Sequence, residues 1–371
     1  MRCNQVHFHF PVSRLRIGWL WGLVTTVTVF GAPPREFICH NWTREDGLPA
    51  NTVTAIAQTP EGYLWVGTFG GLARFDGVRF VRVDLHQLAG LQDSLITTLA
   101  TDARGTLWIG AGDGSLVQYD RTKVERHMPP TRATTDQPLR RIVETAAGTL
   151  WTLNFEGVLS RFRDGAFQEL VLRPDLKALA ADTQQRVWVA NGTELFQVEG
   201  SRLVSSWSGT DEPGFKLEAL AAAQAGGCWL ATHDRVQRLE ASQVREARLL
   251  PAQRTAPTSA LVEDREGNVW VATYGDGLFV CDQAGSCRAL NRTQGLPTDL
   301  VRCLFEDRQG NLWAGTEGRG LVSIRRATFL SYGSDQGMSE ETILCAEEDP
   351  TGAVWVGSNG EGAYRIRNGE V

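Results

Sequence analysis

From about residue 35 onward, apolar and polar positions alternate in short runs, which is the period of half-buried strands. Val53 to Ala57 and Ala260 to Asp264 are two such runs. Each is followed by a glycine-bearing turn such as PEG, REG or RQG, where the chain needs a conformation most residues resist. A second run of the LWVGT type comes next, then a Gly-rich turn, then a third run such as Leu72 to Phe75. An Asp-Gly turn, Asp76-Gly77 or Asp164-Gly165, leads to a fourth run, Val78 to Val83. No segment carries a helical period outside an apolar stretch near the N-terminus. The pattern therefore predicts four antiparallel strands, repeated along the chain.

The tryptophans give the period. Trp65, Trp108, Trp151, Trp188, Trp229, Trp270, Trp313 and Trp355 are spaced by 43, 43, 37, 41, 41, 43 and 42 residues. That is the length of a propeller blade. The best copies are GYLWVGTFGGLARFDG at 62 to 77, GTLWIGAGDGSLVQYD at 105 to 120, GNVWVATYGDGLFVCD at 267 to 282, GNLWAGTEGRGLVSI at 310 to 324 and GAVWVGSNGEGAYRI at 352 to 366. Three middle copies are worn: GTLWTLNFEGVLSRF, QRVWVANGTELFQV and GCWLATHDRVQRL. The indole is large and amphipathic, which suits the space between adjacent blades, so the eight tryptophans are expected to be structural. A lone blade exposes both sheet faces, so blades must stack in a ring that closes. Residues 35 to 42, REFICHNW, align with the fourth-strand segments Cys287 to Asn291 and Ala327 to Tyr332. They are expected to complete the last blade.

These residues resemble the two-component regulator propeller repeat, whose signature is close to D-x-x-G-x-L-W-x-G-T-x-x-G-L. The copies at 62 to 72 and 307 to 321 match it well, and DGLPANTV at 46 to 53 looks like the family's entry into a first blade, repeated as QGLPTDLV at 294 to 301. The resemblance implies the periplasmic sensor region of a hybrid two-component or histidine kinase protein. Such proteins often carry two seven-bladed propellers, a small β-sandwich, a membrane helix and a cytoplasmic output domain, and many sense polysaccharide breakdown products. The expected class is all-β. A seven-bladed propeller over 32–325 would be followed by the first repeat of an incomplete second propeller over 326–371, with one eight-bladed ring as the alternative. No helix with a phospho-accepting His and no nucleotide-binding glycine box is visible. The chain reads as a fragment whose output domain, and any C-terminal membrane anchor, lie elsewhere.

Composition changes this picture little. Hydrophobic residues make up 42% and charged residues 22%, an ordinary globular balance. Net charge is −6 with no basic block, so nucleic acid is not an expected partner. The N-terminus adds a compartment: Arg2, Arg14 and Arg16 precede an apolar stretch from Ile17 to Phe30, and Gly31 suits cleavage. Residues 1–31 are expected to be a secretory signal peptide, and an uncleaved anchor is the weaker alternative. In an oxidising compartment Cys281 and Cys287 could pair across the CDQAGSC hairpin, whereas Cys228, Cys303 and Cys345 fit buried strand thiols.

Chemistry is sparse. His40, His86, His127 and His233 stand singly, and most aspartates, including Asp76, Asp102, Asp264 and Asp307, occupy turn positions where they cap their own backbone. No catalytic residue, metal site or cofactor is expected. One face of the ring, formed by the turn between strands two and three and by the link to the next blade, carries the varied residues. These are Phe69, Asp113, Phe155, His233, Tyr274, Asp276, Glu317 and Arg319, with Trp207 and His86 on the long links. Aromatic rings beside carboxylates or Arg suit an oligosaccharide ligand. The function expected is a sensor or ligand-binding module, alone or as a homodimer. The rival classes are a secreted propeller enzyme of the streptogramin-lyase or glycosidase type and a structural interaction platform, because the fold alone decides neither.

Overall fold

The computed structural model describes residues 36–371 except 87–89, 92–93, 121–122, 130–136, 146–147, 210–214, 241, 328–331, 334–336, 339–341, 361 and 368–370. The expected signal segment, 1–31, lies outside the described residues. Two compact units are present, one spanning Arg35–Phe329 and one containing Leu330–Val371.

The first unit is built of seven four-stranded antiparallel sheets. In six of them the strands follow chain order, as in blade 1: Val53–Gln58, Leu64–Thr68, Gly71–Phe75 and Phe80–Val83. The innermost strands of blades 1 to 7 begin at Val53, Ile96, Leu139, Ala178, Ala219, Thr258 and Val301. They neighbour one another in order, and that of blade 7 lies beside that of blade 1, so the ring closes at seven. The outer strand of blade 7 comes from the N-terminus: Phe37–Trp42 pairs antiparallel with Leu321–Arg326, as the alignment of REFICHNW predicts. At this seam Gly320 allows no side chain, since a Cβ there would fall 1.9 Å from the Trp42 carbonyl oxygen. An eight-bladed ring is thereby ruled out. The eighth repeat forms a separate three-stranded sheet, Ile343–Glu348, Val354–Ser358 and Ala363–Ile366.

The tryptophans explain the stacking. All seven in the ring are buried, and each joins a core cluster made with the following blade. Trp65 of blade 1 packs with Ile96, Leu107 and Ile109 of blade 2. Trp313 of blade 7 packs with Val53, Leu64 and Val66 of blade 1 and stacks on Trp42 at 5.3 Å. Each indole N–H is also satisfied, by an acceptor six residues upstream in six of the seven blades: Thr59, Asp102, Thr145, Asp182, Asp264 and Asp307, at 2.7 to 3.2 Å. In blade 5 the upstream residue is Ala223, and Glu263 of blade 6 accepts from Trp229 instead at 2.9 Å. The same aspartates accept backbone N–H groups two and four residues on, so one carboxylate fixes both turn and indole.

Among the described residues, two single 3-10 turns run into GLP sequences. Arg44–Asp46 and Arg292–Gln294 are single 3-10 turns with capping boxes from Thr43 and Asn291 and left-handed Gly47 and Gly295 at their ends. Cys281 and Cys287 are disulfide-bonded across the two outer strands of blade 6. Trp355 of the eighth repeat is 44% exposed, unlike its seven counterparts, and Cys345 is likewise exposed rather than buried.

Trp313→Ala should lower stability by about 3–5 kcal/mol, as large buried aromatics do, whereas Trp355→Ala should change it by less than about 1 kcal/mol. Urea unfolding followed by circular dichroism reads both, and equal effects would contradict the separate status of the eighth repeat. A gain is also available. Blade 4 places Gln185 at φ 66°, where the other blades use glycine. Gln185→Gly should therefore stabilise by about 1 kcal/mol, visible as a raised melting temperature.

Candidate functional site

The inner strands surround a central cavity of about 710 Å³. Its lining repeats in the tryptophan register. Eleven residues before each blade tryptophan stand Thr54, Thr97, Arg140, Lys177, Glu218, Ser259 and Arg302, one from every blade, and all seven line the cavity. In blades 1, 2, 3, 6 and 7 this position is a β-bulge in the inner strand. In blades 4 and 5 it immediately precedes the strand. A bulge re-aims a side chain without ending the sheet, which is how a packed inner strand can offer polar groups to the cavity.

The three hydroxyls of this ring are tied to backbone carbonyls. Thr54 donates to Ile96 at 2.6 Å, Thr97 to Gly110 at 3.1 Å and Ser259 to Val301 at 2.6 Å. Two of the charges are paired. Glu218 accepts from the Thr258 backbone N–H and hydroxyl, each at 2.8 Å, and from buried Arg254. Burial raises the Glu218 pKa, but those donors outweigh it and hold the carboxyl below its ordinary value. Arg302 pairs with Glu317. Arg140 and Lys177, on adjacent blades, have no carboxylate partner among the described residues. Arg140 stacks on Phe155 at 4.4 Å and leaves its Nε buried and unbonded.

One residue deeper, the ring is Ala55, Thr98, Arg141, Ala178, Ala219, Ala260 and Cys303. All but one are small. Arg141 alone extends a long charged side chain into the cavity, where it is open to solvent yet walled by protein. Burial lowers its pKa, and the nearby Cys303 sulfur partly restores it. Burial pushes the Cys303 thiol up to about 12.

The rim above these rings lies four residues after each tryptophan: Phe69, Gly112, Phe155, Gly192, His233, Tyr274 and Glu317. Five of the eight ligand-binding residues expected from sequence thus share one register position. Phe69 and Phe155 line the cavity, and Arg302 lies over the Phe69 ring at 5.2 Å. Glu317 links this part of the rim, accepting from Thr52 at 3.1 Å and from the Tyr274 hydroxyl at 3.4 Å. His233 is exposed, and no histidine lines the cavity among the described residues. The other three lie off the cavity. Asp113 binds Arg126 at 2.6 Å and Ser115 at the same distance, tying a turn to the outer strand. Asp276 accepts from the backbone of Thr255 and Ala256 at 2.6 and 2.7 Å and so holds the link between blades 5 and 6. Arg319 is exposed in the last turn of blade 7. Sequence reasoning did not single out Arg140, Arg141, Lys177, Glu218 and Arg302. The signal was present as a column in which charged residues replace Thr or Ser at one fixed distance from the tryptophan.

The fold and this axial site define a seven-bladed β-propeller with a polar, aromatic-rimmed mouth. Three of its repeats match the model of the family described as "Two component regulator propeller", at residues 47–70, 254–275 and 295–318. A search of curated protein sequences finds no match. Among solved structures, the extracellular domain of the putative hybrid two component system BT3049 from B. thetaiotaomicron is similar over 90% of the chain, with a TM-score of 0.72 and 17% identity. That of BT4673 from the same organism is similar over 90%, with a TM-score of 0.61 and 18% identity. The chain spans about half the length of these two structures, 48% and 46%. Virginiamycin B lyase from Staphylococcus aureus is similar over 78% of the chain and 99% of its own length, with a TM-score of 0.63 and 12% identity. Identities this low establish a shared propeller fold.

A thiol held near a pKa of 12 is about one part in ten thousand thiolate at pH 8. Iodoacetamide at that pH should therefore label exposed Cys345 well before Cys303 or buried Cys228, as peptide mass spectrometry would read. Early labelling of Cys303 would contradict its placement in the wall.

Proposed function

We propose that this propeller is the ligand-recognising module of a two-component sensor, working outside the cytoplasm, and that its ligand is an oligosaccharide. The observation that carries the reading is the mouth of the axial cavity. Phe69 and Phe155 remain 48% and 51% exposed there, each beside a guanidinium, over a cavity of ordinary ligand-site size. Half-exposed rings next to charged hydrogen-bond donors suit pyranose rings, whose C–H faces stack and whose hydroxyls need polar partners. The repeat family and the likeness to extracellular domains of hybrid two-component systems support the sensor role. On this reading Tyr274, Glu317, His233 and Arg319 extend the rim, while Asp113 and Asp276 hold its turns in place. Residues 1–31 direct export, residues 326–371 open a second propeller, and the output domain belongs to the remainder of the sensor. The lyase likeness is one of fold.

Calorimetry against a panel of neutral and acidic oligosaccharides tests this. A binding glycan should lose at least about tenfold in affinity in a Phe69→Ala, Phe155→Ala double variant, the scale expected for two stacking rings. Unchanged binding by the variant, or cleavage of a panel member by the wild-type protein, would sink the proposal.

A further inference from the structure

The cavity carries a charge imbalance that a neutral ligand would leave in place. Arg140, Arg141, Lys177 and Arg302 line it, against Glu218 as the acidic member of the lining. The pairs Glu218–Arg254 and Arg302–Glu317 are self-contained. Three cations from blades 3 and 4 remain, with no acidic partner among the described residues, in a chain whose net charge is −6. Like charges brought together in a walled cavity repel, and the surrounding low-dielectric walls sharpen the field at the mouth. Packing does not account for Arg141 either, because the same position in the other blades is Ala, Thr or Cys. The orphaned Nε of Arg140 is a further buried donor awaiting an acceptor.

We infer that the axial cavity binds the oxyanion of an acidic ligand, a carboxylate or a sulfate group, which sits against Arg141 and is flanked by Arg140 and Lys177. A guanidinium offers a planar fork of donors that matches either group. The remainder of the ligand would then project toward Phe69 and Phe155. This rests on the reading that the mouth receives a ligand, and it restricts that ligand to acidic saccharides.

The test uses the full chain at constant ionic strength with sodium sulfate, sodium galacturonate, neutral galactose and sodium chloride as probes. Sulfate or galacturonate should raise the melting temperature, and chloride and galactose should not. In Arg141→Gln the response should fall by at least about tenfold in apparent affinity, the scale for removing a charge-assisted pair. Lys177→Gln should weaken it less, and Arg245→Gln, on the outer strand of blade 5, should leave it intact. Without anion, Arg141→Gln should melt no lower than wild type, since no acidic partner is stranded. That control separates loss of the site from loss of the fold. A response to sulfate alone would mark a site for sulfated ligands, and one to galacturonate alone a site for uronic acids. No response to either anion, or an equal response in Arg141→Gln, would overturn the inference. If neutral oligosaccharides bind both proteins equally, the saccharide reading survives and this one fails. If anions bind through Arg141 while no oligosaccharide binds, the reverse holds.

Discussion

The whole ring hangs on a hydrogen bond from an indole N–H to an oxygen six residues upstream. A tryptophan can be buried between blades only if its N–H finds an acceptor, because an unsatisfied buried donor costs about 1–3 kcal/mol. In blades 2, 4, 6 and 7 an aspartate supplies it, and the second carboxylate oxygen closes the preceding turn through two backbone N–H groups. Register, turn and inter-blade packing thus become one decision at each repeat. Where the aspartate is missing, something replaces it: a threonine hydroxyl in blades 1 and 3, or Glu263 reaching across from blade 6 to Trp229. The LWxG glycine follows from the same packing. A Cβ on Gly67 would meet Ile96 of blade 2 at 2.6 Å, and one on Gly315 would meet Val53 of blade 1 at the same distance.

A second set of contacts stitches neighbouring blades. In four of the seven blades the last residue of the inner strand accepts a backbone N–H from the turn of the blade before it. Gln58 takes that of Arg308 at 2.8 Å, Glu144 that of Ala103 at 2.6 Å, Glu263 that of Gln224 at 2.7 Å and Glu306 that of Arg265 at 3.1 Å. Blade 1 offers Pro60 at that turn position, which has no N–H to give, and the facing Thr101 hydroxyl is left buried without a partner. Because the stitch between blades 7 and 1 is of the same kind as the others, the closing seam is ordinary blade packing reinforced by the strand Phe37–Trp42.

Much of this was legible in the sequence. Tryptophan spacing fixes the blades, and the alignment of residues 35 to 42 with outer-strand segments anticipates the closure. What could not be read was direction. The aspartates at 102, 264 and 307 look like turn caps, and they are, but their second oxygen on the indole is invisible without the backbone. The rim residues were found because they vary. The inner ring was missed because an Arg or Lys at the start of a strand reads as a solvated charge unless the bulge that turns it toward the axis is known. Phe69 and Asp113 occupy neighbouring register positions, yet one lines the cavity and the other is tied to Arg126.

The worn copies acquire a physical meaning from this arrangement. Blades 3, 4 and 5 carry Arg140 and Arg141, Lys177, and Glu218, whereas blades 1, 2 and 6 keep hydroxyls bonded to carbonyls at the inner position. The same blades depart from the consensus elsewhere: a threonine acceptor in blade 3, a left-handed Gln185 in blade 4, a borrowed glutamate in blade 5. Inner strands ending in Ala181 and Ala222 also lack the carboxylate or amide side chain that Glu144 and Glu306 use to stitch blades together. Blade 1 shares the threonine acceptor and one stitch is missing between blades 1 and 2, but the departures gather on the arc of blades 3 to 5, and that arc carries the unpaired charge. Natural proteins break such rules mainly at functional or strained sites. Blades 6 and 7 keep both the aspartate acceptor and the glutamate stitch, and the charged, less fully stitched arc is held in the same closed ring as this better-formed part.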